Sequence, residues 1–283
     1  MINKIAVIGA GTMGHGIAQV AAMAEYHVAL YDIDQQSVDR GIVAVQANLA
    51  KGVEKGKVAP EVMDTTLNRI KGTTDLAAAA HQAHLVIEAI PEKLELKAEL
   101  FGKLEDLCDE GCIFASNTSS LSIAKIAAAT KRPDRVIGMH FFNPVHIMKL
   151  LEIVVADGTS EATLAAVKEV GGHLGKDCIV VKDFPGFATS RLGVCLGLEA
   201  IRMVEQGVAS ADDIDKAMTL GYAHPMGPLK LTDLVGLDVR LNIADYLHKE
   251  LNSEVFKAPE LMRQMVKEGK LGKKSGQGFY NWD

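Results

Sequence analysis

Cysteine is scarce in this chain: Cys108, Cys112, Cys178 and Cys195 are its full complement in 283 residues. They show no metal-type pairing. Cys108 and Cys112 could share one helix face, but two thiols supply at most half a zinc site, so no metal is expected. Free thiols in a reducing compartment are the expectation. Long hydrophobic runs are missing as well. No segment approaches the roughly 20 uninterrupted apolar residues that a membrane span needs. Lys4-Ile5-Ala6-Val7-Ile8 already reads as a strand and leaves no room for a targeting peptide, so a cytoplasmic protein without a membrane partner is expected. Positive charge is in deficit, with a net charge of −6, which argues against a general nucleic-acid surface. Internal repeats are absent, and the only low-complexity tract is the Ala77–Ala80 run.

What is present is a globular composition, 48% hydrophobic, in a chain long enough for two medium domains. Up to about residue 184, short Val- and Ile-rich runs alternate with helical patterns. The strand candidates are Lys4–Ile8, His27–Tyr31, Leu85–Ala89, Cys112–Ala115, Arg135–Phe141, Leu150–Val155 and Cys178–Val181. That alternation predicts an α/β domain with a mainly parallel sheet covered on both faces. Short connections between the last strands allow an antiparallel part. Between Asp34 and Ile70 there is more helix than one crossover needs. Breaks at Gly52 and at Gly56–Pro60 suggest a projecting helical hairpin, with Lys51, Lys55 and Lys57 near its tip. After Asp183-Phe184-Pro185-Gly186-Phe187 the pattern becomes wholly helical. Residues 188–206 read as a helix apolar on most sides, and Ser210 with Asp213 as the cap of the next. The expected domains are therefore 1–184 and a smaller all-helical 185–283.

Gly9-Ala10-Gly11-Thr12-Met13-Gly14 follows the first strand directly and opens a helix. In that setting G-x-G-x-x-G is a dinucleotide-binding loop. Gly9 makes the tight turn, Gly11 admits the pyrophosphate and Gly14 lets helix and strand pack. The second strand ends at Asp32, 23 positions after Gly9, close to the spacing of about 20 at which a carboxylate meets the adenosine ribose. No Arg follows to accept a 2′-phosphate, so a Rossmann-type domain using NAD rather than NADP is expected.

Ligands of such a sheet gather beyond the carboxyl ends of its strands. Three segments reach that edge: Glu88–Glu92 with Lys97 one turn on, Ser116–Ser120, and His140–Pro144. Ser120 and Ser122 read more simply as caps of the helix from Ile123. His140, with Glu152 in the following strand, has the parts of a general base and the carboxylate that orients it. His81, His84 and Glu88 imitate a metal spacing, but a helix-to-strand switch splits them.

The set Gly-Ala-Gly-Thr-Met-Gly-His-Gly-Ile-Ala-Gln (9–19), Ser-Asn-Thr-Ser-Ser (116–120), His-Phe-Phe-Asn-Pro (140–144), Pro-Gly-Phe (185–187) and His-Pro-Met-Gly-Pro (224–228) closely resembles the L-3-hydroxyacyl-CoA dehydrogenases, in particular their short bacterial form. The match extends to the terminal Gly-Lys-Lys-Ser-Gly-Gln-Gly-Phe-Tyr. The resemblance implies an NAD-dependent oxidation of a short-chain 3-hydroxyacyl-CoA such as (S)-3-hydroxybutanoyl-CoA by a homodimer. His140 would take the hydroxyl proton, Glu152 would orient it, and Ser119 would hydrogen-bond the reacting oxygen. Asp32, Glu92, Lys97, Ser119, Asn143 and Lys274 fall at cofactor-contacting positions, and Asn48 and Lys55 where coenzyme A is held. One departure stands out: many members carry Asn-Arg after Pro-Gly-Phe and two variable residues, whereas here Ser190-Arg191 occupies those positions. Ser190 therefore takes the place of a substrate-contacting Asn with a shorter side chain. Two other readings are a dehydrogenase of free small hydroxy acids, and a non-catalytic NAD-binding protein of the crystallin kind.

Overall fold

The computed structural model describes residues 2–282, in two compact units that divide between Asp183 and Phe184. In chain order the first unit holds β1 (Lys4–Ile8), α1 (Gly14–Met23), β2 (His27–Tyr31), α2 (Gln35–Glu54), α3 (Pro60–Asn68), β3 (Ile70–Thr73), α4 (Leu76–Ala80) and β4 (Leu85–Glu88). It continues with α5 (Leu94–Leu107), β5 (Ile113–Ser116), α6 (Ile123–Ala127), β6 (Val136–Phe141), β7 (Leu150–Val155), α7 (Glu161–His173) and β8 (Asp177–Lys182). The strands form one sheet in the order β3-β2-β1-β4-β5-β6-β7-β8. Every neighbouring pair is parallel except β6 with β7. The mainly parallel sheet and its antiparallel exception are as the sequence predicts.

The strands β1, β4, β5 and β6 are buried along nearly their whole length, which explains their unbroken apolar runs. Their chain order reverses at β1, between β2 and β4, and the crevice for a nucleotide opens there. The strand β3 is a correction to the sequence reading. Ile-Lys-Gly-Thr is short, half exposed and at the sheet edge, so it has too little apolar pattern to announce itself. The hairpin α2–α3 forms as expected, but α2 runs through Gly52 to Glu54, because tertiary packing tolerates one helical glycine. A Cβ on Gly52 would meet Val58 at 2.6 Å, so this glycine is where the returning chain packs. Asp34 caps α2 by accepting from the Ser37 N–H, and Ser122 caps α6 by accepting from that of Lys125.

The second unit contains α8 (Thr189–Glu205), α9 (Ala211–Gly221), α10 (Pro228–Val235), α11 (Leu237–Leu251) and α12 (Glu260–Lys267). Val194, Leu198, Ile201, Leu229, Leu247 and Met262 make its core. The helical sequence between Pro228 and Leu251 is divided into two helices by Gly236 at φ 105°. Two buried carboxylates organise the unit. Asp215 accepts from the N–H groups of Leu229 and Lys230, capping α10 from α9. Asp233 accepts from the N–H groups of Phe279 and Tyr280 and from the Trp282 indole, which ties down the last residues described. Among the described residues no helix is long and apolar enough to cross a membrane.

Candidate active site

The glycine loop is held by the end of β2. Asp32 accepts from the Ala10 N–H through one carboxylate oxygen and from its neighbour Ile33 through the other, both at 2.8 Å. Gly9 has φ 104°, and a Cβ on it would meet the Ala89 carbonyl oxygen at 2.6 Å, so only glycine makes this turn. A Cβ on Gly14 would lie 1.6 Å from the Gly9 oxygen, whereas one on Gly11 meets no atom within 4 Å. The loop is thus closed towards the protein and open at Gly11. The helix α1 has Met13 at its cap position and no side-chain cap, leaving its first N–H groups for a phosphate. Thr12 is exposed and Met13 half-buried beside that opening. These residues fit NAD: the helix start suits the pyrophosphate and the Asp32 carboxylate suits a ribose with an unmodified 2′-hydroxyl.

His140 and Glu152 are directly opposed across the antiparallel pair β6–β7. The Glu152 Oε2 lies 2.8 Å from the His140 Nδ1, and both side chains are buried. Phe142 covers the imidazole with a ring-centroid distance of 4.5 Å. A carboxylate at Nδ1 fixes the ring orientation and favours the tautomer with the proton on that nitrogen. It also stabilises the imidazolium that forms when the ring accepts a second proton.

Beside them, the ends of β4 and β5 carry a network of charged and hydroxyl groups. Glu88, wholly buried as the last residue of β4, is 2.6 Å from the Lys97 Nζ and accepts from the Ser116 hydroxyl at 2.6 Å and the Ile90 N–H at 2.7 Å. Lys97 also reaches the Glu92 carboxylate at 3.2 Å. The other Glu92 oxygen accepts from the Thr118 hydroxyl at 2.5 Å and the Ser119 N–H at 2.9 Å. Burial pushes the Glu88 carboxyl above the usual range, opposed by the Lys97 ammonium and by the three donors. Asn117 was not singled out from the sequence. Its N–H donates to the Glu88 carbonyl, and its side-chain oxygen accepts from the Phe141 N–H at 2.8 Å, next to His140. The signal that could have marked Glu88 is a charged residue ending an otherwise apolar, two-face-buried strand.

The remaining sequence candidates fall in different places. Asn143 is exposed just beyond β6. Asn48, half-buried on α2, donates to the Gln19 side chain on α1 at 3.3 Å, while Lys55 is exposed at the C-cap of α2. Ser190 and Lys274 belong to the second unit. Ser190 lies in the first turn of α8, and the Lys274 Nζ is paired with Asp238 at 2.6 Å. Among the described residues no group of three or more His, Cys, Asp or Glu side chains could hold a metal ion.

A doubly wound sheet with an NAD cradle and a buried His–Glu pair at its ligand edge defines an NAD-dependent oxidoreductase. The chain matches the 3-hydroxyacyl-CoA dehydrogenase NAD binding domain over residues 4–184 and the 3-hydroxyacyl-CoA dehydrogenase C-terminal domain over residues 186–282, and it belongs to that family. It is 45% identical to the probable 3-hydroxybutyryl-CoA dehydrogenase of Bacillus subtilis, over all of this chain and 98% of that one. It is 43% identical to the mitochondrial hydroxyacyl-coenzyme A dehydrogenase of Sus scrofa, over all of this chain and 92% of that one. The crystal structure of (S)-3-hydroxybutyryl-CoA dehydrogenase from Ralstonia eutropha superposes with a TM-score of 0.96 at 40% identity, covering the whole of both chains.

Proposed function

We propose that this chain catalyses the reversible NAD-dependent oxidation of (S)-3-hydroxybutanoyl-CoA, or a close short-chain homologue, to the 3-oxoacyl-CoA. The observation that carries the reading is the buried His140–Glu152 pair at 2.8 Å, at the strand end nearest the nucleotide loop. Bound NAD supplies the hydride acceptor. With Nδ1 engaged by Glu152, proton exchange with the substrate 3-hydroxyl falls to Nε2. The imidazole takes that proton during oxidation and returns it during reduction, and the Glu152 carboxylate offsets the transient charge. Ser119, its backbone fixed by Glu92, donates to the reacting oxygen. In this reading Asp32, the loop from Gly9 to Gly14, Glu92, Lys97, Asn143 and Lys274 would serve the cofactor. Asn48, Lys55 and Ser190 serve the substrate, the basic hairpin tip suiting the phosphates of coenzyme A.

His140→Gln should lower turnover of acetoacetyl-CoA with NADH by about 10²–10⁴, the usual contribution of a general base. Ser190→Ala should cost less. Free acetoacetate in place of the thioester should be a poor substrate. Near-full activity of the His140 variant would remove the assigned base, and equal use of free acetoacetate would favour a dehydrogenase of small hydroxy acids. NADH binding without any turnover would favour the non-catalytic reading. The proposed setting is a cytoplasmic homodimer. Its support is the exposed apolar surface of the second unit, where Leu192, Leu220 and Tyr222 are 72%, 82% and 76% exposed, and the four free cysteines.

A further inference from the structure

Glu88 is out of place by the rules of its strand. A parallel strand buried on both faces is satisfied by apolar residues, as Leu85, Val86 and Ile87 are. A buried carboxylate is expensive, and the chain offsets it by burying an ammonium as well: Lys97 is 1% exposed. A valine at position 88 would spare both charges. The pair does not close on itself, because Lys97 is shared with Glu92, whose side chain is 42% exposed. An exposed glutamate has many rotamers, and Lys97 selects the one that reaches Thr118 and Ser119. A second line runs from the same residue. The Glu88 carbonyl holds Asn117, and Asn117 holds the Phe141 N–H beside His140. In the sheet register Glu88 stands beside Ser116, and Ser116 beside Gly138, two residues before His140.

We infer that Glu88 is a positioning residue for the reaction: by anchoring Lys97 it fixes Glu92, and Glu92 fixes the loop that presents Ser119. The inference rests on the assignment of Ser119 to the reacting oxygen. Glu88 touches neither substrate nor cofactor in this role. Its effect on kcat passes through Ser119, so at saturating NADH its loss should cost little further once the Ser119 hydroxyl is gone.

The test is a double-mutant cycle on the intact enzyme, with Glu88→Gln, Ser119→Ala and the pair, assayed with acetoacetyl-CoA and NADH. Glu88→Gln should lower kcat, measured at saturating NADH, about 10- to 100-fold, as expected for a misplaced reacting group, any weakening of NADH through Lys97 and Glu92 being read separately in KM. In the Ser119→Ala background the same substitution should cost less than about threefold, since residues acting as a unit are non-additive. If the two losses multiply in full, or if Glu88→Gln is silent while Ser119→Ala is impaired, the inference is overturned. If Ser119→Ala is itself unimpaired, the assignment beneath the inference has failed, and the inference falls with it. Should Glu88→Gln not fold, Glu88→Asp replaces it in the same cycle, since it keeps the buried charge but shortens its reach to Lys97, and the same two outcomes apply.

Discussion

Asp32 joins two jobs in one carboxylate, since the oxygens that would meet a ribose also hold the Ala10 and Ile33 N–H groups. Removing it should loosen the loop and remove the charge that repels a 2′-phosphate. Asp32→Ala is therefore expected to reduce the preference for NADH over NADPH by about 10- to 100-fold, the range of a lost hydrogen bond to a charged group. Steady-state kinetics with both cofactors decides it, and an unchanged preference would mean that another group discriminates. At this scale the sequence was legible wherever a residue type has a fixed offset from a landmark. The glycines, Asp32, and the His140–Glu152 pair stand at such offsets. Asn117 and the anchoring part of Glu88 had no such marker, because their partners, Phe141 and Lys97, are brought near by strand order and a helical crossover. Lys97, expected to contact the cofactor, is in addition a buried bridge between two carboxylates, which the sequence did not announce.

Among the elements, β6 carries a constraint that its apolar pattern conceals. Gly138 pairs with Val154 on β7, and a Cβ at 138 would lie 2.6 Å from the Val154 Cβ and 3.1 Å from the end of Ile123. The close approach of β6 and β7 thus depends on a missing side chain two residues before His140. Gly138→Ala should destabilise the protein by about 1–3 kcal/mol through overpacking, measured by denaturant unfolding. Val154→Gly in addition, which removes the clashing Cβ, should recover part of that loss, and full additivity of the two losses would mean that the clash is not the cause. The long buried strands were legible from their Val and Ile content. The edge strand β3 was not, since an element half in water lacks that signature. The division at Gly236 was hidden because helix-forming residues continue on both sides of it.

For the whole molecule, the apolar side chains that the second unit leaves in water set the expected assembly. Light scattering should give twice the chain mass, and Leu192→Asp on α8 should shift the protein towards the single-chain mass. A wild-type protein already at the single-chain mass would refute the dimer. The reversal of β7 against β6 has a separate consequence, for assembly of the site during folding. His140 and Glu152 are 12 positions apart in sequence, while the Glu88–Ser116 bond spans 28 and the Asp32–Ala10 bond 22. Closing a loop grows costlier only slowly with length, yet a local hairpin also needs no other strand in place. The groups that would move the proton are therefore a piece of this site with low contact order, whereas the nucleotide cradle waits on strands delivered from distant stretches of chain.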